Sequence, residues 1–346
     1  MSGSGSGSSS SRRSGGARSG SGRSSGFCAR SRTGASSPCG GRPDPVPALG
    51  FRPVSATRVT VDVPGSSANL GSGYDCLAIA LPLRLTVAVE RRPGPLAVEV
   101  AGEGAGDLPA DATNLVAATL LAELDENGDD LQIAIDNRIP LGAGCGSSAA
   151  AIVAALAAAD ALLGRAPSPA GLILRASTIE GHPDNVAASV LGGVTIAAGD
   201  PPTARRIEPP AGLALVVAVA DERILTRDAR AALAGDVPRG DAVWNIQHAA
   251  LLVHALHTGA LDDLSVALTD RLHQDARAGL MPTFQELRSR TAELGALGVT
   301  LSGAGPSVLV WCAADRADEI AAGVRAIVPS ADVHALRPEP VGLVCG

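Results

Sequence analysis

Hydrophobic and polar residues alternate from Val59 as Val-Thr-Val-Asp-Val, the period-two pattern of a half-buried strand, which Pro64 and Gly65 are expected to end. The alternation returns over 84–90 and 97–101, predicting antiparallel strands separated by Pro93, Gly94 and Pro95, and again over 131–135. Helical spacing is expected at 113–123 with Asp111 or Thr113 as cap, in an alanine-rich run opened by Ser147 and Ser148 and ending near Gly164, and at 169–180. Gly181-His182-Pro183-Asp184-Asn185 reads as a loop, and 186–194 leads into a strand through Gly192 and Gly193. The wholly apolar 213–220 reads as a buried strand; helices are expected over 228–260 and on to 294, and at 316–327. Strands are expected at 299–301 and 307–311, around Gly303 and Gly305, and at 333–336. No long repeat interrupts this order, and strands in antiparallel-looking pairs with helices between them predict an α+β fold.

With 346 residues, 46% of them hydrophobic, two domains of ordinary size are affordable. Pro201, Pro202, Pro209 and Pro210 mark the break, giving an N-terminal domain over 53–205 and a C-terminal one over 206–346. Residues 1–52 stand apart: the stretch 1–43 is mostly Ser and Gly and holds seven Arg and no acidic residue, so a disordered extension is expected. A flexible extension or a mis-set start codon is the plain reading, with an organelle transit peptide or an anionic partner as alternatives.

The other 21 Arg face 35 Asp and Glu, so the body is acidic; with 2% aromatic residues this argues against a nucleic-acid reader built on stacking. The longest apolar stretches, 149–159 and 213–220, fall short of the roughly 20 residues that cross a bilayer. Six scattered Cys without a C-x-x-C pair argue against a disulfide framework or zinc site, and a cytoplasmic protein is expected. Every basic residue is Arg, which excludes a lysine phosphate loop, a PLP Schiff base and a lysine nucleophile. Phosphate would have to be held by backbone amides, hydroxyls, Arg or a metal.

Candidate chemistry gathers in four places. After Pro140, Gly142-Ala143-Gly144-Cys145-Gly146-Ser147-Ser148 is the strongest local signal and lets the backbone approach a bulky anion at a helix start, with a simple structural turn as the alternative. Gly65 to Asp75 is unusually rich in polar and conformationally permissive residues; Asn69 can donate and accept, and Asp75 can hold a cation, unless both merely stabilise turns. Glu180, His182, Asp184 and Asn185 could supply a magnesium carboxylate and polar contacts, or form only a polar loop. Ser302-Gly303-Ala304-Gly305-Pro306-Ser307 could close over phosphates or turn a hairpin.

In this order the four segments resemble the small-molecule kinase superfamily that includes galactokinase, mevalonate kinase and homoserine kinase, from about Val59 to the C-terminus. Val63-Pro64-Gly65-Ser66-Ser67-Ala68-Asn69 through Asp75, and Glu180-Gly181-His182-Pro183-Asp184-Asn185-Val186-Ala187, are similar to homoserine kinase segments in particular. The resemblance implies a two-domain α+β kinase fold with ATP in the cleft between the domains, a mixed sheet with helices in the N-terminal half and an α/β-plait-like C-terminal half. It implies ATP-dependent phosphorylation of the side-chain hydroxyl of L-homoserine, in threonine biosynthesis. ATP would meet Asn114 beside Leu115, and Pro140, Gly142, Ala143, Gly144, Cys145, Gly146, Ser147, Ser148 and Ala149. Ser148 and Glu180 would hold Mg2+; Asn69, Asp75, His182 and Asn185 would line the homoserine site, with Arg230 and Arg277 closing it, although Arg227 and Arg271 compete for that role.

Asp75 could then pair the α-ammonium and an Arg grip the α-carboxylate with its planar fork. Related sugar and mevalonate enzymes place an Asp near Asn185; an amide takes no proton, so Asn185 is read as orienting the hydroxyl. Cys145, where Leu is common, is read as a small hydrophobe facing away from ATP. Neither nucleic acid nor membrane is an expected partner, and a homodimer is left open. The alternatives are a sister kinase acting on shikimate, a sugar or an isoprenoid alcohol, and a non-catalytic nucleotide-binding regulator.

Overall fold

The alternation at Val59 becomes strand β1 (Arg58–Leu70), which runs on past Pro64. The computed structural model describes residues 57–346 apart from 167, 221–225 and 234; the extension expected over 1–52 lies outside the described residues, as does the side chain of Arg227. Pro64 has no N–H to give a ladder, and it sits where the register against β2 (Gly73–Arg91) shifts, Pro64 opposing Arg84 but Gly65 opposing Leu81. This irregularity lets pairing resume through Ser66 and Ser67 to Leu70, opposite Gly73, so the stretch read as a turn is two strand ends closed by Gly71 and Ser72.

The runs at 84–90 and 97–101 are strands, but not partners. β4 (Leu131–Asn137) lies between β2 and β3 (Ala97–Gly102), antiparallel to the first and parallel to the second. Parallel neighbours need a crossover, here α1 (Leu115–Leu124), which the alternation cannot announce. The cap of α1 is Asn114, whose Oδ1 accepts from Val116 N at 3.0 Å; Asp111, one of the caps expected, accepts from Thr113 instead.

Helices α2 (Ser147–Leu162) and α3 (Pro169–Glu180) match the sequence closely, and α4 (Asp184–Leu191) takes in Asp184 and Asn185, where a loop is expected from Gly181 and Pro183. β5 (Val194–Ala198), β6 (Thr203–Ile207) and the terminal β11 (Val344–Cys345) complete a seven-stranded sheet. A four-stranded sheet has the order β10 (Asp332–Leu336), β7 (Leu213–Val219), β9 (Val308–Ala313), β8 (Gly298–Leu301). Its helices are α5 (Thr226–Ala231), α6 (Arg239–Thr258), α7 (Leu264–Ala267), α8 (Gln274–Ala278), α9 (Pro282–Ser289), α10 (Thr291–Leu294) and α11 (Ala317–Ile327).

The apolar run at 213 is buried on both faces: Leu213, Leu215 and Val217 join the core that spans the large sheet, while Ala214, Val216 and Ala218 join a second core with Phe284, Ile320 and Val324. Every residue of α2 from Ala149 to Asp160 is buried, its small side chains allowing close approach by its neighbours. This is an α+β fold of two sheets with helices. Among the described residues no helix is long and apolar enough to cross a membrane.

Candidate active site

The glycine run ahead of α2 lines a cleft. Gly142, Gly144 and Gly146 have φ of 65°, 74° and 74°, in the left-handed region. At Gly144 a Cβ would collide with the Ser302 carbonyl and at Gly146 with Ser66 Oγ, so conformation and close approach together demand glycine there. The three glycine-containing loops interlock. Ser66 N donates to Cys145 O (2.9 Å), Gly303 N to Ala68 O (3.0 Å) and Ser302 Oγ to Gly144 O (2.8 Å).

Gly146 caps α2 with no side-chain hydrogen bond, so no side chain claims the amides at the helix start, where the dipole favours an anion. Cys145 is buried and its thiol is pushed up to about 11 by burial, so it packs as a neutral hydrophobe.

Beside the helix start, Ser148 Oγ donates to Glu180 Oε2 at 2.8 Å. Burial pushes the Glu180 carboxyl up, against the pull of Ser148 and His182. The pair is a set of hard oxygen donors around a partly dehydrated carboxylate, which suits Mg2+, an ion that takes few protein oxygens and completes its shell with water and phosphate. His182 Nδ1 lies 2.9 Å from Asp184 Oδ1, and this bond holds the imidazole above its usual value. Asp184, buried in the first turn of α4, also accepts from Asn185 N (2.8 Å). Asn185 Oδ1 accepts from Ser66 Oγ at 2.9 Å, so the first loop orients the amide.

Across the cleft, Asn69 has φ 57° and accepts from Asp75 N at 2.8 Å. Asp75 pairs with Arg230 on α5 through contacts of 3.0 and 3.4 Å. Arg277 on α8 is 1% exposed, and burial presses its pKa below the usual value. Its Nε donates to Ala229 O (3.1 Å) and its Nη1 to His273 Nδ1 (3.2 Å), yet no described carboxylate forms an ion pair with it. A buried guanidinium on a cleft wall is a place for a ligand anion.

Most sequence candidates line this cleft: Asn69, Asp75, Glu180, His182, Asn185, Arg230, Arg277, and Pro140 with Gly142 to Ser148. Asn114 does not, its amide being spent on the α1 cap and on Pro109 O (2.9 Å), and Ala149 is buried behind the loop. Arg271 is also elsewhere, 3.7 Å over the Trp244 ring and paired with Asp241. Asp184, Gly303, Ala304 and Gly305 add to the lining, with Ser66 and Ser302 as props. A lone Ser has no sequence mark of such a role; proximity to the glycines was the available signal.

Residues 113–193 match the family model of the GHMP kinases N-terminal domain, and 252–329 that of the GHMP kinases C-terminal region. A homoserine kinase of Moorella thermoacetica is 40% identical over 73% of this chain and 86% of its own. One from Gloeobacter violaceus is 41% identical over 82% of this chain and 97% of its own. The crystal structure of homoserine kinase from Cytophaga hutchinsonii superposes with a TM-score of 0.74 at 26% identity, covering 86% of this chain and all of that one.

Proposed function

The chain belongs to the homoserine kinase family of GHMP kinases, and on that premise we propose that it transfers the γ-phosphoryl group of ATP to the side-chain hydroxyl of L-homoserine, giving O-phospho-L-homoserine and ADP in threonine biosynthesis. The observation that carries the choice of acceptor is the charge on the wall facing the glycine loop: Asp75 and Arg230 paired, with the buried Arg277 lining the same cleft. A zwitterionic amino acid answers it, its ammonium taking Asp75 and its carboxylate the arginines. A neutral sugar has no carboxylate to offer the two arginines.

Phosphates would rest on the loop from Gly142 to Ser148 and the open amides of α2, as the absence of Lys requires. Ser148 and Glu180 would hold magnesium, which when bound neutralises charge on the phosphoryl oxygens. Asn185, fixed through Oδ1 by Ser66, has its Nδ2 hydrogens left to hold the acceptor oxygen in line. Phosphoryl transfer through a loose transition state depends on such positioning more than on a strong base, and the hydroxyl proton leaves to phosphate or water.

The residues 53–205 then serve as the ATP-binding half and 206–346 as the half that brings the arginines. A cytoplasmic setting is part of the same reading, supported by Cys76, Cys145, Cys312 and Cys345 being free thiols. ADP release measured over L-homoserine, shikimate, galactose and mevalonate, with and without magnesium, tests the proposal. L-Homoserine with magnesium should be turned over best; a preference for another alcohol would assign the chain to a sister activity, and ATP binding without turnover of any would make it a regulator.

A further inference from the structure

Arg277 is held by a neighbour that no motif marks. We propose that His273 is a positioning residue: its imidazole fixes the Arg277 guanidinium in the orientation that receives the carboxylate of the amino acid. The inference rests on the reading of Arg277 given above.

The ring of His273 is fully buried and both its nitrogens are engaged. Nε2 lies 2.8 Å from Gly71 O, and a carbonyl oxygen can only accept, so Nε2 carries the proton. Nδ1 is therefore a lone pair, and Arg277 Nη1 donates into it from 3.2 Å. A doubly protonated ring would turn one N–H toward another. Burial holds the imidazole below its usual value, aided by the charge of Arg277 and opposed by Asp270, Gly71 and Asp75.

The surrounding residues keep the ring in place. The buried Asp270 carboxylate accepts from the amides of Leu272 (3.0 Å), His273 (2.9 Å) and Gln274 (2.8 Å), and from Asn245 Nδ2 (2.7 Å) on α6. The Tyr74 ring lies 5.2 Å from the imidazole, and the Arg277 guanidinium 5.4 Å over Tyr74. Spacing of four residues brings His273 and Arg277 side by side, with Arg277 N bonded to His273 O at 3.1 Å. Nη1 on His273 and Nε on Ala229 O define the plane of the fork from two directions, so its orientation precedes the ligand. A long side chain without the first contact would have to be ordered by the substrate itself.

Two substitutions separate the two bonds of the ring. In His273→Gln the amide can still reach Gly71 O but offers no acceptor at the Nδ1 position; in His273→Asn the Oδ1 stands in for Nδ1 and the tie to Gly71 is lost. Each is assayed on L-homoserine and on 3-aminopropan-1-ol, the same alcohol without the carboxylate. His273→Gln is expected to lower kcat/KM for L-homoserine about tenfold, to leave KM for ATP unchanged, and to change kcat/KM for 3-aminopropan-1-ol by less than about twofold. His273→Asn should restore most of the loss on L-homoserine.

Equal losses on the two alcohols, no loss in His273→Gln, or a His273→Asn variant worse than His273→Gln would overturn the inference and leave the ring as a tie for the Gly71 turn. Arg277→Ala tells which reading has failed. If it too leaves kcat/KM for L-homoserine unchanged, the assignment of Arg277 falls and this inference with it. If it lowers kcat/KM while His273→Gln does not, only the role of His273 falls.

Discussion

Asn185 states the chemistry of the site in one residue. A carboxylate here would be a third acidic group beside Asp184 and Glu180, whereas an amide can orient an oxygen without adding charge. Its carbonyl end is tied to Ser66, so its geometry is built before substrate arrives. Asn185→Ala should therefore lower kcat by about two orders of magnitude with KM for ATP unchanged, the size of effect that loss of alignment produces. Ser66→Ala, which removes only the tie, should cost about tenfold or less. Steady-state kinetics with L-homoserine decide it: full kcat in the alanine variant at 185 would remove the positioning role and reopen the question of a base.

Among the elements, the short turn from Asp270 to α8 carries a disproportionate load. The Asp270 side chain is fully buried and satisfies three amides and Asn245, so Asp270→Ala should destabilise the protein by about 3 kcal/mol or more, seen in denaturant unfolding at pH 7. Burial alone would raise its pKa, but the hydrogen bonds from Asn245 and from the amides of Gln274 and His273 pull it down, and the net shift is downward. Its ionic contribution is then present above the ordinary carboxylate value of about 3.9 and lost as pH falls through the lower folded value, so the gap between wild type and variant should narrow toward pH 3.

Local signals also explain which elements the sequence betrayed. α2 and α3 were legible because periodicity and caps such as Ser168 lie within a few residues. The place of β4 between β2 and β3 was not, since alternation describes a strand's faces and not its neighbours. β1 continued past Pro64 through an irregularity that only the partner strand reveals. Asn114 caps α1, a role its place before Leu115 could announce, whereas Arg271 competes with Arg277 in the sequence because an arginine looks the same on a tryptophan as on a cleft wall.

At the scale of the molecule, residues far apart in sequence, Asn69, Gly144, Asn185, Arg230, Arg277 and Gly303, converge on one cleft, and the order of four motifs was what made that convergence legible. The charge distribution poses the remaining question. Residues 1–43 carry seven Arg and no acid, while the cleft would receive a polyanionic nucleotide without any Lys to help, so an Arg of that stretch could in principle lend it charge. Among the described residues, Arg230 on α5, Arg277 on α8 and the amides at the start of α2 already give the cleft positive charge, so the chemistry should not need it. Deleting residues 1–50 should leave kcat and both KM values within about twofold of the full chain, and should not alter their dependence on ionic strength, which screens contributions from distant surface charge. A large rise in KM for ATP that appears at low salt and vanishes at high salt would instead place one of those arginines at the nucleotide.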